Sequence, residues 1–300
     1  MKTIAIALSF LSTSLLAQPR NWKDINYAGD TLTGHRLDIY LPEKGDGPFP
    51  VIVAIAGSAW FGNNTKGRAY TIAKSLLDQG FAVVAMNHRS SREAIWPAQI
   101  NDAKAVVRFI RANHKQYQLD VTFIGITGDS SGGHLSAMMA TSGDVGLYAS
   151  GGERVDIEGR VGEHLDEPSG VDAVTVWYGP SNFLVMDSCG SSFSHNDIKS
   201  PESTLVGGPI QQEVAMCRLA DPVTYADKSD PDFLILHGDK DPLVPHCQSQ
   251  YLFDGLQRKG VQCVLVIVPG GGHGEGMWEP PYIDKMNAFF LDQLHRKEKR

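Results

Sequence analysis

The chain has 300 residues, of which 42% are hydrophobic and 20% charged, and its net charge is −7. That suits one large globular domain and excludes a disordered or membrane-spanning protein. The acidic balance argues against a nucleic-acid partner: the one basic run, Arg296-Lys297-Glu298-Lys299-Arg300, reads as a solvated helix end.

Lys2, an apolar stretch over residues 4–16 and Ala17 before Gln18 have the length and flanks of a signal peptide over residues 1–17. The stretch is too short to span a bilayer. The mature chain, 18–300, is therefore expected to be secreted or periplasmic, without membrane insertion. No Cys stands at the cleavage point, so no lipid anchor is expected.

Residues 35–41 alternate polar and apolar side chains, as an early edge strand does. Residues 51–56 and 81–86 are continuous apolar runs, the pattern of strands buried on both faces. Between them a helix is expected over 68–79, stopped by Gly80. Pro97 can open the next helix, to about residue 114, with Ala103, Val106, Val107 and Ile110 on one face. A strand over 121–126 leads into Gly128-Asp129-Ser130-Ser131-Gly132 and a small-residue helix over 133–141. Strands over 171–177, 233–237 and 261–268 and helices over 246–259 and 283–296 complete the series. This alternation predicts an α/β fold, a mostly parallel sheet with helices on both faces. Two stretches break it. Residues 143–170 are rich in Gly and charge, and residues 188–227 in Ser, Pro and Asn. Both are long for plain connections and are expected to be small cap or rim insertions, not a separate domain.

Cys189, Cys217, Cys247 and Cys263 show no metal-like spacing, so neither a zinc site nor any other cofactor is expected. In an oxidising compartment they can pair in three ways. The pairs Cys189–Cys217 and Cys247–Cys263, each closing a modest loop, are the expectation.

Gly128-Asp129-Ser130-Ser131-Gly132 fits G-x-S-x-G between a predicted strand and helix. A sharp strand-to-helix turn needs little bulk two positions either side of the serine. Ser130 is thus the candidate nucleophile. Ser131, with Asp129 two positions before it, fits less well. A serine hydroxyl needs a base. His273, in Pro269-Gly270-Gly271-Gly272-His273-Gly274 after the last strand, can supply one. A carboxylate must orient that base. Asp241 and Asp239 compete for the role in the loop after residues 233–237, and Asp241, beside Pro242, is the stronger candidate. His237 is expected to pack at the strand end. Backbone N–H groups of Ser58 and Ala59, in the small-residue loop after residues 51–56, and of Ser131 are the candidate oxyanion donors.

These motifs resemble the α/β-hydrolase superfamily, and within it the acetyl xylan esterase and feruloyl esterase group, related to hormone-sensitive-lipase-type esterases. The resemblance covers about residues 23–294. It rests on Leu37-Asp38-Ile39-Tyr40-Leu41-Pro42, Pro97-Ala98-Gln99 with Asp102 and Arg108, Gly128 through Leu135, His237-Gly238 through Pro245, and Gly272-His273-Gly274. It implies an α/β-hydrolase fold, Ser130, Asp241 and His273 as a catalytic triad, and an acylated polysaccharide such as xylan as the ester substrate. One departure stands out: where the family's oxyanion loop usually reads His-Gly-Gly-Gly/Ala-Trp, Ala56 replaces the histidine and Ser58 the second glycine. Trp60, Trp96, Trp177, Tyr178 and Trp278 fall where strands deliver loops; some of them are expected to form a platform for a sugar or feruloyl ring, and at least half to pack in core or rim. Rival readings are a general small-acyl carboxylesterase or lipase, a peptidase of the same fold, and a non-catalytic carbohydrate-binding protein.

Overall fold

The computed structural model describes residues 20–299, so the leader expected over residues 1–17 lies outside the described residues. In chain order the elements are β1 (Asn21–Asn26), β2 (Arg36–Tyr40), β3 (Phe49–Ile55), α1 (Lys66–Ala73), β4 (Ala82–Met86), α2 (Ala98–Asn113), β5 (Leu119–Asp129) and α3 (Ser131–Thr141). Then come β6 (Leu147–Ser150), β7 (Glu153–Asp156), β8 (Ala173–Trp177), α4 (Pro201–Val206), α5 (Val214–Leu219), β9 (Asp232–Gly238), α6 (Cys247–Arg258), β10 (Cys263–Val268) and α7 (Pro280–Glu298). Eight strands form one sheet in the order β1-β2-β4-β3-β5-β8-β9-β10, parallel from β4 to β10, with β2 antiparallel to both its neighbours.

The apolar runs in β3 and β4 are continuous because each face of the sheet carries its own layer. Val51, Val53 and Ile55 point to one side, where Ile100 and Val106 of α2, Leu135 of α3 and Leu252 of α6 pack. Ile52 and Ala54 point to the other, against Ala69 and Ile72 of α1 and Met286 and Phe290 of α7. That alternation is the period of two of a pleated strand, apolar on both phases.

Residues 35–41 do not form the edge. β2 lies between β1 and β4, and β1 takes the edge. The polar segment of β1, Asn-Trp-Lys-Asp-Ile-Asn, lacks the alternation that marks a strand, and only pairing with β2 extends it. The helix expected over 68–79 ends as α1 at Ala73 and continues as a 3-10 turn over Lys74–Leu76. β5 runs on to Asp129, directly before Ser130. The first irregular stretch holds the β6–β7 hairpin and the second holds α4 and α5. Among the described residues no helix is long and apolar enough to cross a membrane.

The expected cysteine pairs are not those of the structure. Cys189 is bonded to Cys247, and Cys217 and Cys263 are free. Cys247 opens α6, whereas Cys263 lies just beyond its far end. A twelve-residue helix is about 18 Å long, and a disulfide needs Cα atoms within roughly 7 Å. Cys217 is buried on α5, its thiol 3.5 Å from the Ile210 carbonyl.

Because the central strands are parallel, the loops after β3, β5, β8, β9 and β10 all emerge at one edge of the sheet, where α/β proteins place their ligands. Those loops carry Ser58, Ser130, Tyr178, Asp241 and His273.

Candidate active site

Ser130 sits between β5 and α3 with φ 52° and ψ −124°, a strained conformation for a residue with a Cβ. Its N–H donates to the Trp177 carbonyl (2.9 Å) and its own carbonyl accepts from His134 N–H (3.0 Å), the first turn of α3. The flanking glycines make the turn possible. A Cβ on Gly128 would lie 2.4 Å from the Gly132 carbonyl oxygen, and one on Gly132 would lie 2.1 Å from the Ile55 oxygen. Helix and strand thus meet backbone to backbone beneath the serine.

The glycine-rich loop after β10 brings Nε2 of His273 to 2.9 Å from Ser130 Oγ. Its Nδ1 lies 2.7 Å from Asp241 Oδ2. The other carboxylate oxygen accepts the N–H groups of Leu243 and Val244, each at 2.9 Å. Burial alone would raise the Asp241 pKa. Hydrogen bonds from His237 and His273, the positive charge His273 can carry and the Val244 N–H outweigh it and hold the group well below the usual carboxylate range. A carboxylate that stays ionised fixes the imidazole with Nδ1 protonated, leaving Nε2 to accept the Ser130 proton.

Asp239, the rival acid, does something else: its Oδ1 accepts the Gly270 N–H at 2.7 Å and so pins the loop that carries His273. His237 does pack at the strand end, fully buried, with Nδ1 2.7 Å from Ser249 Oγ and Nε2 2.8 Å from the Val244 carbonyl. That Nε2 is also 3.4 Å from Asp241 Oδ2, so His237 braces the acid.

The loop after β3 is tied to the serine turn at two points. Gly57 N–H donates to Asp129 Oδ1 (2.6 Å), and Ser58 N–H to Ser131 Oγ (2.8 Å). The Ser58 N–H, expected as an oxyanion donor, is therefore already committed, because the hydroxyl of Ser131 reaches it. Ala59, with φ 54°, and Ser131, the first residue of α3, both line the cleft beside Ser130. The Ser131 N–H is one of the first-turn donors that a helix leaves unpaired. Asp129 itself is fully buried and also holds the guanidinium of Arg68 and the hydroxyl of Tyr178.

The BD-FAE family profile matches residues 37–256. The chain belongs to the BD-FAE family. It is 30% identical over 217 residues to Esterase LipQ of Mycobacterium tuberculosis, covering 72% of this chain and 47% of that protein. This BD-FAE chain spans about half the length of the curated relatives it matches. Among solved structures, a truncated carbohydrate esterase from gut microbiota is 46% identical with a TM-score of 0.88, covering 91% of this chain and 95% of that one. The bifunctional GH43-CE of Bacteroides eggerthii is 47% identical with a TM-score of 0.87, covering 91% of this chain and 35% of that one. The fold is that of the α/β-hydrolases.

In this BD-FAE chain the cavity beside Ser130 is small, about 110 Å³. Trp60 forms part of its wall, edge-on to His134 and Phe183. Tyr178 packs against the His273 ring, centroids 4.9 Å apart. Three of the platform candidates lie elsewhere. Trp96 is buried in the layer beneath, its indole N–H donating to the Leu219 carbonyl (3.1 Å). Trp177 is buried on the opposite face, 4.4 Å from the Trp278 ring. Trp278 borders a separate groove with Arg68 and Ile283. The cleft instead draws Phe193, His195, Pro201 and Glu202 from the second irregular stretch, which sequence patterning passed over. A hollow of about 730 Å³ lies by Asp172 and Asp232 at the opposite end of the strands, away from Ser130.

Proposed function

We propose that this protein hydrolyses carboxylic esters through an acyl-enzyme, with Ser130 as nucleophile, His273 as base and acid, and Asp241 as its orienting carboxylate. The observation that carries this reading is the hydrogen-bonded chain from Ser130 through His273 to Asp241 at the head of a narrow cleft. Ser130 Oγ attacks the ester carbonyl as its proton passes to His273 Nε2. The N–H groups of Ala59 and Ser131 stabilise the oxyanion. Collapse expels the alcohol, which takes the proton from His273. Water then loses a proton to the same nitrogen, attacks the acyl carbonyl and releases the acid, and the proton returns to Ser130.

The substrate class proposed is an acetylated carbohydrate, xylan being the leading backbone. Its support is twofold. Of two solved structures above 45% identity, one is named a carbohydrate esterase and the other a bifunctional GH43-CE. The cleft beside Ser130, about 110 Å³ and partly open to solvent, offers little enclosed space for the acyl group, which favours a short acyl such as acetyl. The Cys189–Cys247 bond supports an oxidising compartment, consistent with secretion or export to a periplasm.

The test compares 4-nitrophenyl acetate, acetylated xylan, methyl ferulate and longer acyl esters, with Ser130→Ala as the blank. Turnover of both acetyl substrates, lost in the variant, is the expected result. Faster turnover of methyl ferulate than of acetylated xylan would overturn the acetyl assignment. Turnover of 4-nitrophenyl acetate and longer esters alone would leave a general esterase.

A further inference from the structure

Across the cleft from His273, the segment between the disulfide half Cys189 and helix α4 carries a second polar cluster that the proposed mechanism does not use. His195 is fully buried and Glu202 is 3% exposed, yet both belong to the cleft wall. His195 Nδ1 lies 2.9 Å from Glu202 Oε2, and its Nε2 is 2.8 Å from Ser191 Oγ. The backbone of His195 is held as firmly. Its N–H donates to Asp187 Oδ1 (2.6 Å), and its carbonyl accepts the hydroxyls of Ser200 (2.6 Å) and Ser203 (3.1 Å). Phe193, 40% exposed, lies with its ring 4.3 Å from the imidazole.

Burying a carboxylate is costly unless its acceptor sites are used. An ionised carboxylate offers about four such sites, and the bond from His195 takes one of them. Apolar side chains would have closed this wall at lower cost. A carboxylate held rigidly beside an exposed aromatic ring matches an alcohol bearing neighbouring hydroxyls and an apolar C–H face.

Resting on the carbohydrate-ester reading above, we propose that Glu202, fixed by His195, is a specificity-determining residue that accepts a hydrogen bond from a sugar hydroxyl next to the acetylated position, with Phe193 against the sugar face. It binds the alcohol half of the ester and takes no part in proton transfer.

The experiment measures kcat and KM of the wild type and Glu202→Gln on three esters: 4-nitrophenyl acetate, an acetylated xyloside with a free vicinal hydroxyl, and its analogue with that hydroxyl replaced by hydrogen. The variant is expected to lose roughly 10- to 100-fold in kcat/KM on the hydroxyl-bearing ester, mainly through KM, and to stay within about threefold on 4-nitrophenyl acetate. The deoxy analogue is expected to be slow with the wild type already and no slower with the variant. An equal loss on all three esters would mark a structural role and overturn the proposal, as would no loss on any. If Glu202→Gln does not fold, the wild type alone decides: equal kcat/KM for the two xylosides overturns it. A wild type that turns over 4-nitrophenyl acetate but neither xyloside brings down the carbohydrate reading and this proposal together. A wild type active on both xylosides without discrimination brings down this proposal alone.

Discussion

The carboxylate of Asp129 accepts the Gly57 N–H at 2.6 Å, joining the residue before Ser130 to a loop 72 positions earlier. The same group binds Arg68 and accepts the Tyr178 hydroxyl at 3.2 Å, and the Tyr178 ring backs His273. Burial first, then the charge of Asp129, pushes the Tyr178 pKa up, so its hydroxyl remains a donor. One buried charge therefore sets the serine turn, the loop after β3 and the wall behind the imidazole relative to one another. Asp129→Asn keeps the shape and removes the charge, and its NH₂ faces donors where an acceptor stood. The variant is expected to lose up to about 10²-fold in kcat, the usual cost of a small misplacement of reacting groups. It is also expected to lose about 2 kcal/mol of stability from weakened charged hydrogen bonds. Steady-state kinetics and thermal melts read both. An unchanged kcat would show that the loop keeps its place without the charge.

Glycine matters at the serine turn for a reason that can be measured. A Cβ on Gly132 would lie 2.1 Å from the carbonyl oxygen of Ile55, a residue of a central strand with neighbours on both sides. Gly132→Ala is expected to lose at least about 1–3 kcal/mol, several degrees in Tm, or to leave the soluble fraction. Gly67→Ala is the control. Its added methyl meets nothing within 4 Å, and alanine favours the helix α1. A Gly132→Ala variant that melts with the wild type would contradict the close approach.

The parts of the site that the sequence displays are those written in local signals. Glycines around Ser130 and His273 and the apolar runs before them mark turns at strand ends whatever the rest of the chain does. What stayed hidden depends on partners far away in the chain. The commitment of the Ser58 N–H to Ser131 Oγ links positions 73 apart. An aromatic residue at a strand end can face cleft or core, and only the packing of helices decides, as Trp96 and Trp177 illustrate. Phe193, His195 and Glu202 come from a stretch with no periodicity to read. β1 is a strand because β2 offers it an edge, not because of its own residues. Loop length alone does not decide which cysteines meet, because the length of α6 separates Cys247 from Cys263.

Asp241→Asn tests the orientation of the base. The amide can present an N–H toward His273 Nδ1, which favours the wrong tautomer for accepting the Ser130 proton. A fall in kcat of about 10⁴ is expected, as for the equivalent change in serine proteases. Stability responds as well. Asp241 is held below its free value of 3.8, so its contribution is present above that pH and fades as pH falls through the lower folded value. The gap in Tm between wild type and variant should therefore narrow on acidification. A kcat within tenfold of wild type (about 1.4 kcal/mol) would remove Asp241 from the proposed mechanism.

The cross-link Cys189–Cys247 closes a 58-residue separation and ties the cleft-lining segment to α6. By the loop-entropy relation it contributes about 4 kcal/mol. Reductant is expected to lower Tm accordingly. Peptide mapping of unreduced protein should give one linked pair holding residues 189 and 247. The free thiols should react slowly in the native state. Burial, then Glu213 and Glu202, pushes Cys217 up to about 12, and burial, then Asp232 and Asp254, pushes Cys263 up to about 11. A peptide linking 189 to 217 would refute the pairing.

His134, one turn after Ser130 on α3, makes folding sensitive to acid. Its ring is wedged among Trp60, Trp96 and Phe183, with Nε2 2.7 Å from the Ala220 carbonyl, and burial lowers its pKa from 6.5 to about 4 despite that bond. Below pH 6.5 the unfolded chain takes up a proton that the folded chain refuses, so stability declines until about pH 4 and then levels off. The shift from 6.5 to about 4 corresponds to about 3 kcal/mol. His88, also buried and lowered, acts in the same sense. His134→Gln separates the two effects: its amide N–H can reach the Ala220 carbonyl but does not titrate. Above pH 6.5 the wild type should be the more stable protein. Its advantage should shrink by about 3 kcal/mol as pH falls to about 4, followed by denaturant melts across that range. A wild-type advantage that does not change with pH would mean that the His134 ring accepts its proton in the folded protein as readily as in the unfolded chain.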